Sequence, residues 1–356
     1  MNLLDNPDQW SALDPGDMYG KILRFPGQML QAVEIGRSCD LGNLRREGIE
    51  QIVVAGLGGS AIGGDLVRSY LADRLPVPML IVRDYTLPHF VGPSTLVLAS
   101  SYSGSTEETL AAYDQAHRAG ARLIAFTTGG TLCDRAHADG HPVVTLPGGL
   151  MPRAALAFSF FPMLLVLSRL GFVSDPEAEI EETHALLTEQ TSLYSRSTRW
   201  DRNPAKQTAT LWHDHVPLIY GGNQRFDAVA LRIKCQVTEN AKQLAFANVF
   251  PEFNHNELVG FGHSQHVARQ LTVCILRDQG DHRRIGIRMA IVRKMIADLG
   301  LTVTDVHSAG TGSLARMFSL VQWGDFVSFY LAMLNGVDPT PIAAIDHLKR
   351  ELAERE

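Results

Sequence analysis

The sequence lacks the features that mark secreted, disulfide-rich and zinc-knuckle proteins. It has only four cysteines in 356 residues, and Cys39, Cys133, Cys235 and Cys274 stand far apart without a C-x-x-C pair. This spacing argues against a disulfide framework and against a zinc knuckle, and it fits a reduced cytoplasm. The N-terminus has no basic segment followed by an apolar core, so no secretory signal is predicted.

Excess positive charge and clean apolar runs are missing as well. The formal net charge of -6 offers no general attraction to polyanions, so we expect no nucleic-acid partner. The most apolar stretch, residues 154–172, contains Pro162 and Arg169 and falls short of the ~20 apolar residues that a membrane span needs. We therefore predict a buried helix there and no membrane association.

What the sequence does contain is a regular alternation of strand and helix patterns. Short runs rich in β-branched residues, bounded by turn residues, alternate with helical segments, beginning with "QIVVAG" and "STLVLASSY". This order predicts an α/β protein with mostly parallel, doubly wound, Rossmann-like sheets flanked by helices. Strand, glycine turn and long helix recur in "VPLIYGGNQRFDAVALRIKCQVTENAK", which indicates an internal duplication.

The composition places boundaries between these parts. We predict a helical N-terminal segment at 1–45, a first domain at 46–173, a polar and partly helical connector at 174–204, and a second domain with a C-terminal helix at 205–356. Two domains also suit the length of the chain.

A glycine loop, Gly56 to Leu66, follows a predicted strand and opens a predicted helix. Its "GLGGSA" satisfies G-x-G-x-x-A, which allows a nicotinamide dinucleotide with Asp84 as ribose ligand. A tight strand-to-helix turn without ligand is the second interpretation. Phosphate binding is the third.

The stretch "SSYSGSTEETL" favours phosphate. It places a second loop, rich in hydroxyl groups, after another parallel strand, and such strands end at a common crevice. A helix that begins near Thr106 would point free N–H groups at an anion there. A capping box from Ser105 to Glu108 is an alternative use of these groups, and both can hold. The predicted phosphate-binding residues are Gly59, Ser60, Ser101, Ser103, Ser105 and Thr106.

Both loops together resemble the sugar isomerase (SIS) domain, here in two tandem copies. "TENAK", "PEFNHNELVGF", "GLMPRAALAF" and "DPTPIAAIDHLK" are similar to segments of the bifunctional phosphoglucose/phosphomannose isomerases of the phosphoglucose isomerase superfamily. The resemblance runs from about Gln51 to Lys349. It implies a metal-free enzyme without cofactor that interconverts glucose 6-phosphate and mannose 6-phosphate with fructose 6-phosphate by proton transfer through a cis-enediol.

The resemblance also implies roles for four residues. Glu239 moves the proton, His255 opens the sugar ring with Lys349 as its partner, and Arg153 stabilises the enediolate. Each assignment has a plainer alternative: Glu239 and Lys349 also fit solvated helix positions, His255 fits a loop without function, and Arg153 fits a helix start at the surface. Because the ring-opening histidine of this superfamily enters from a neighbouring subunit, a cytoplasmic homodimer with shared active sites is implied.

Several neighbouring residues receive minor roles. We expect Glu252 and Glu257 to orient the loop around His255, and Asn254 and Asn256 to satisfy backbone groups in its turn. The family often has asparagine where this chain has Thr238 and Ser105; both exchanges keep a hydrogen-bonding group.

Neither a metal nor one of two competing functions is favoured. The histidines at 213–215, 254–256 and 263–266 do not combine with cysteine or carboxylate at a known ligand spacing, so we predict no metal site. The competing functions are a non-catalytic phosphosugar-binding protein and a nicotinamide-dependent dehydrogenase.

Overall fold

The computed structural model describes residues 3–263 and 265–355, so Ser264, inside the histidine segment 263–266, lies outside the described residues. Contacts divide the chain into two compact units. The unit that we call N-terminal comprises Arg24–Ala185 and Thr311–Ala315, and the unit that we call C-terminal comprises the residues up to Leu23, Leu186–Gly310 and those from Arg316 onward. The boundaries at 45, 173 and 204 stay a prediction.

The N-terminal unit is built on a five-stranded sheet in the order β2-β1-β3-β4-β5 in which all paired strands are parallel. Val53, Leu98 and Ile124 lie at its centre without solvent exposure, which explains why these strands read as continuous apolar runs. Its strands and helices are α2 Phe25–Ser38, β1 Gln51–Ala55, α3 Gly58–Tyr70, β2 Met79–Val82, β3 Thr95–Ser100, α4 Glu107–Arg118, β4 Arg122–Thr127, α5 Gly130–Ala138, β5 Val143–Thr145, α6 Leu156–Arg169 and the start of α7 Glu177–Leu193.

The apolar stretch 154–172 forms α6, and its predicted burial is confirmed: every residue from Leu156 to Leu167 is buried. The helix α2 packs closely against it, because a Cβ atom on Gly36 would stand 2.9 Å from the Cα of Pro162. Pro26 lies in the first turn of α2, after the break at Arg24 that separates α1 from α2, and there its missing N–H costs no hydrogen bond.

The C-terminal unit is built on a four-stranded, parallel sheet in the order β7-β6-β8-β9. The edge strand β7 was not predicted. Its strands and helices are α1 Met18–Leu23, the second half of α7, α8 Pro204–Trp212, β6 Val216–Gly222, α9 Asp227–Ala241, β7 Phe246–Phe250, α10 Gly260–His263, α11 Gln265–Ala268, β8 Leu271–Arg277, α12 Arg283–Asp298, β9 Thr302–His307, α13 Ser313–Leu334, which starts in the N-terminal unit, and α14 Ala343–Ala353.

Both sheets place their second strand first, then their first, third and fourth. The shared order confirms the predicted duplication at the level of topology, together with the α/β class and the two parallel sheets flanked by helices. Among the described residues, one helix, α13, is long and apolar enough to cross a membrane, and 94% of its apolar window is buried, as in the core helix of a globular protein.

Candidate functional site

The N-terminal sheet has a topological switch point between β1 and β3. The strand order reverses there, since β2 lies beyond β1 on one side and β4 lies beyond β3 on the other. Ligands of open parallel sheets bind in the crevice at the carboxyl ends of the two strands that flank such a point. The glycine loop follows β1 and the hydroxyl loop follows β3, so the structure brings both predicted phosphate loops to this one crevice.

The glycine loop needs its glycines because other backbone segments approach it closely. A Cβ atom on Gly56 would stand 2.7 Å from the carbonyl oxygen of Ser100, and one on Gly59 would stand 2.5 Å from the carbonyl oxygen of Pro152. The Oγ of Ser60, which is buried, accepts a hydrogen bond from the backbone N–H of Tyr102 over 3.1 Å. One hydroxyl group therefore joins the glycine loop to the hydroxyl loop.

The hydroxyl loop holds its side chains by hydrogen bonds among themselves. The Oγ of Ser101, only 1% exposed, donates to Thr106 Oγ1 over 2.9 Å and accepts from the N–H of Gly104 over 3.1 Å. Ser103 Oγ accepts from Ser105, both from its N–H over 3.3 Å and from its hydroxyl over 3.1 Å. Ser103 and Ser105 are exposed, and Thr106 is half-buried. The donors thus line the crevice at different depths.

The predicted capping box is wrong. Helix α4 begins at Glu107 with Thr106 as its N-cap, and the Thr106 side chain makes no capping hydrogen bond. The hydroxyl groups bond within the loop instead: Thr106 Oγ1 accepts from Ser101, and the Ser105 hydroxyl donates to Ser103. The hydroxyl groups of this loop are therefore not engaged in capping helix α4.

Arg153 lies in the single turn Pro152–Ala154 that precedes α6, next to the glycine loop. Its backbone nitrogen would lie 3.0 Å from a Cβ atom on Gly59. Only 3% of Arg153 is exposed, so the alternative of a surface arginine at a helix start is wrong. Burial of a guanidinium, which stays charged, is costly and is typical of a group with an anionic counterpart.

In the C-terminal unit, Glu239 lies in the last turn of α9 and is half-buried. With Thr238 and Lys242 it lines a cavity of about 440 Å³ whose opposite wall is the segment 341–345 at the start of α14. Sequence reasoning gave no role to Lys242. Its backbone is left-handed (φ 55°), and its Nζ donates to the carbonyl oxygen of Glu239 and, over 3.3 Å, to that of Pro339.

Helix α9 is fixed to α13 by a buried polar network. Arg232 donates to both carboxylate oxygens of Asp325 over 2.9 and 2.8 Å, and Gln236 donates to the same carboxylate over 2.9 Å. Burial raises the pKa of Asp325, and Arg232 and Gln236 oppose that rise. One turn further, Asn240 donates to Ser328 Oγ over 3.0 Å. These contacts set the position of the helix end that carries Glu239.

His255 ends a short 3-10 turn, Glu252–His255, that follows β7, and its side chain is exposed. The predicted role of the flanking carboxylates agrees with their contacts: Glu257 accepts from the Tyr220 hydroxyl and from Asn248 Nδ2, the latter over 2.6 Å, and Glu252 accepts from Asn256 over 2.9 Å.

The two asparagines beside His255 differ. Asn256 Oδ1 accepts from a backbone N–H, that of Glu257, over 2.6 Å, as predicted. The prediction is wrong for Asn254, whose buried Nδ2 and Oδ1 have no hydrogen-bond partner among the described residues. The turn closes through backbone groups and Asn256, so the Asn254 amide is not needed there.

Lys349 lies on α14, and its side chain is exposed. Among the residues that the structure describes, no hydrogen bond or ion pair links it to His255. The same helix exposes Ile345, Leu348 and Leu352 at helical spacing. Within a single chain, Lys349 therefore stands as a solvated side chain.

The corresponding crevice of the C-terminal sheet, between β6 and β8, holds two carboxylates with their arginine and serine partners. Asp278, whose side chain is 1% exposed, accepts from Arg316 Nε over 2.8 Å and from Ser308 Oγ over 2.6 Å. Asp281 accepts from the N–H of Asp278 over 3.1 Å, and burial raises its pKa. A carboxylate therefore stands where the N-terminal crevice presents neutral hydroxyl groups.

Comparison with known proteins gives the context of these sites. Residues 201–352 match the model of the bacterial phospho-glucose isomerase C-terminal SIS domain. A bifunctional phosphoglucose/phosphomannose isomerase of Caldicellulosiruptor bescii is 44% identical over 338 residues, 95% of this chain and 99% of that protein. One of Aquifex aeolicus is 33% identical over 302 residues, 85% of this chain and 90% of that protein.

A solved structure agrees in fold. A hypothetical protein of Thermus thermophilus aligns with a TM-score of 0.74 at 17% identity, over 96% of this chain and 91% of that one. The likeness supports the two-sheet architecture alone. The Caldicellulosiruptor bescii protein, in contrast, is similar in sequence over nearly the whole of both chains. This chain therefore belongs to the bifunctional phosphoglucose/phosphomannose isomerase family.

Proposed function

We propose that the protein is an aldose–ketose isomerase that interconverts glucose 6-phosphate and mannose 6-phosphate with fructose 6-phosphate. The observation that carries the proposal is the 44% identity, over 95% of the chain, to a relative named for both activities. The hydroxyl-lined crevice at the first switch point supports it independently, because it suits a phosphomonoester. A phosphosugar is thus the proposed partner, and no cofactor or metal is assigned to the reaction.

The phosphate anchor is assigned to the two loops of the N-terminal unit. Gly59 lets the backbone approach closely, and Ser60, Ser103 and Ser105 offer hydroxyl groups beside the N-terminus of α3 or α4. Ser101 donates its proton to Thr106, so the Thr106 hydroxyl keeps its own proton for an anion. Helix dipoles add to the attraction at both helix starts.

Arg153 is assigned to the enediolate. Aldose–ketose isomerisation by proton transfer places negative charge on the oxygens at C1 and C2, and a fixed cation stabilises that charge most where water is excluded. Arg153 stays charged, and its 3% exposure supplies the low-water environment.

Glu239 is assigned the proton transfer between C1 and C2. A carboxylate can take the proton from one carbon and return it to the other without leaving the site. Its place beside a cavity at the end of α9 leaves room for a ligand, and the Arg232–Asp325 network fixes the helix. Lys242 places a positive charge in the same cavity wall.

His255 and Lys349 are assigned to ring opening. Histidine titrates near neutral pH, so it can exchange a proton with the ring oxygen. Both side chains are exposed on their own chain, as is required of residues that serve a neighbouring subunit. A cytoplasmic homodimer with shared active sites is therefore part of the proposal.

A coupled assay tests the proposal. Formation of fructose 6-phosphate should be followed from glucose 6-phosphate and from mannose 6-phosphate, with and without a chelator. We expect turnover of both sugars and no effect of the chelator. Binding of either sugar without turnover would instead identify a non-catalytic phosphosugar-binding protein.

Solvent deuterium tests the assignment of Glu239. Wild-type protein should place deuterium at C2 of glucose 6-phosphate, and the Glu239→Gln variant should not, while it still binds the sugar. General-base loss commonly costs about 10²–10⁴-fold in rate. Glu189→Gln, which changes an exposed carboxylate without an assigned role, is the matched control. Loss of one sugar's reaction with full retention of the other would show that a second base operates.

Mixed subunits test the shared site. Neither His255→Ala nor Glu239→Gln alone should turn over the cyclic sugar well, but a mixture after subunit exchange should recover part of the activity. If exchange is verified and no activity returns, the shared-site assignment fails.

A further inference from the structure

Three side chains with metal-ligating atoms lie together in the N-terminal unit, away from the phosphate loops. His117 lies in the last turn of α4, Asp139 follows α5, and His141 precedes β5. Their ligand atoms all lie within 4.8 Å of one another. In a parallel sheet, helix ends and strand starts lie at the edge opposite the carboxyl ends of the strands, so this cluster lies across the sheet from the hydroxyl loop.

The separations suit a small divalent ion. His117 Nδ1 lies 3.0 Å from His141 Nε2 and 3.7 Å from Asp139 Oδ2. Ligand atoms bound to Zn²⁺ at about 2.0–2.1 Å in a tetrahedron lie roughly 3.4 Å from one another. The two observed separations bracket that value.

The two imidazole rings lie close enough to share a cation. Two ring nitrogens at 3.0 Å repel through their lone pairs unless a proton or a metal ion lies between them.

Tyr113 orients all three candidate ligands. Its buried hydroxyl donates to Asp139 Oδ2 over 2.8 Å. Its ring is stacked on His117 with centroids 6.5 Å apart and meets His141 edge-on at 6.1 Å. Metal sites commonly have such a group that holds a ligand in place through a hydrogen bond.

We propose that His117, Asp139 and His141 bind Zn²⁺ or a similar divalent transition-metal ion, with water completing the coordination. Two imidazoles and one carboxylate suit zinc, nickel and copper rather than calcium or magnesium. The ion would tie the end of α4 to the connection between α5 and β5. Because the cluster is remote from the phosphate loops, its role is structural, and the isomerase reaction does not depend on it.

Calorimetric titration with zinc chloride tests this site on the untagged, full-length chain after removal of metals with a chelator. We expect one Zn²⁺ per chain and a rise of the melting temperature with zinc. His141→Ala should lower the affinity at least tenfold and remove the thermal effect. Tyr113→Phe should lower it by about 10–100-fold, since it removes only the group that orients Asp139. His89→Ala, which removes an exposed histidine outside the cluster, is the matched control.

Three results would contradict the proposed zinc site or its structural role. Equal zinc affinity of wild type and of the His117→Ala/His141→Ala double variant would overturn the proposal, as would an absence of saturable binding. In those cases the cluster is only a hydrogen-bonded histidine pair. Isomerase activity that falls with metal removal and returns with zinc would contradict the structural role, because it would make the ion part of the reaction.

Discussion

Thr106 offers a sharp test of the phosphate anchor, because its side chain makes one hydrogen bond to the described residues, with Ser101, and none that caps α4. Ser101 donates to its oxygen over 2.9 Å, which leaves the Thr106 proton to point elsewhere. We expect Thr106→Val, which keeps the shape and removes the hydroxyl group, to weaken phosphosugar binding. Thr106→Ser, which keeps the hydroxyl group, is the matched control.

The magnitude follows from the bonds that the variant loses. One hydrogen bond to a charged group contributes about 1.5–3 kcal/mol, which at 1.36 kcal/mol per decade predicts a KM higher by roughly 10- to 150-fold. The lost bond to Ser101 should lower the free energy of unfolding by about 0.5–1.5 kcal/mol. The ~1 kcal/mol cost of a lost N-cap does not apply, since Thr106 makes no capping bond.

Steady-state kinetics and urea denaturation measure the two effects separately. Because the phosphate group is distant from the reacting carbons, loss of the Thr106 hydrogen bond to it should raise KM far more than it lowers kcat. An unchanged KM in a folded Thr106→Val protein, and again in the Ser101→Ala/Thr106→Val double variant, would refute the assignment of this loop to phosphate.

Three further predictions concern the loop, the base and ring opening. Gly104→Ala should raise KM and destabilise the fold by at least about 1–2 kcal/mol, since φ is +70° and the new Cβ would lie 1.8 Å from the Gly129 carbonyl oxygen. The control is Gly120→Ala, which has the same φ of +70° but its nearest neighbour at 3.8 Å. Urea denaturation should show a smaller loss of stability for this control, and its KM should be unchanged. Asp325→Ala removes the carboxylate opposite the buried guanidinium of Arg232 and should cost about 3–5 kcal/mol of unfolding free energy; a cost below about 1 kcal/mol would deny that this pair fixes α9. Lys349→Met should slow turnover of the cyclic sugar and spare proton exchange on the open-chain form, with Arg350→Met as the exposed control; equal loss of both activities would remove Lys349 from ring opening.

The sequence predicted the fold well because the strands of parallel sheets are buried on both faces. Their apolar runs need no tertiary information, and the family prediction is confirmed by the relatives as well. The strand β7 was missed for the opposite reason: it lies at a sheet edge, only its last residue is buried, and Asn248 interrupts its short apolar run.

Local motifs were less reliable where other contacts compete for the same groups. The S-x-x-E pattern from Ser105 predicts a capping box, yet the N-cap of α4 is Thr106 and the Ser105 hydroxyl bonds to Ser103. The cluster of His117, Asp139 and His141 has no known ligand spacing, and only the folding of α4 and α5 onto the sheet brings it together. The roles of Glu239 and His255 stay predictions, since they depend on a bound sugar.

The duplication explains why one sheet should carry the phosphate anchor. Both sheets have the same strand order and hence the same kind of crevice, so topology alone would allow two anchors. The loops decide between them. The first crevice offers the hydroxyl groups of Ser60 and Thr106 as neutral donors, whereas the second is occupied by Asp278 with its partner Arg316. A phosphate there would meet a carboxylate whose counter-ion is already engaged, and like charges at close range repel. The two crevices therefore share a topology but differ in their loops, which is why the proposed phosphate anchor is assigned to the first crevice alone.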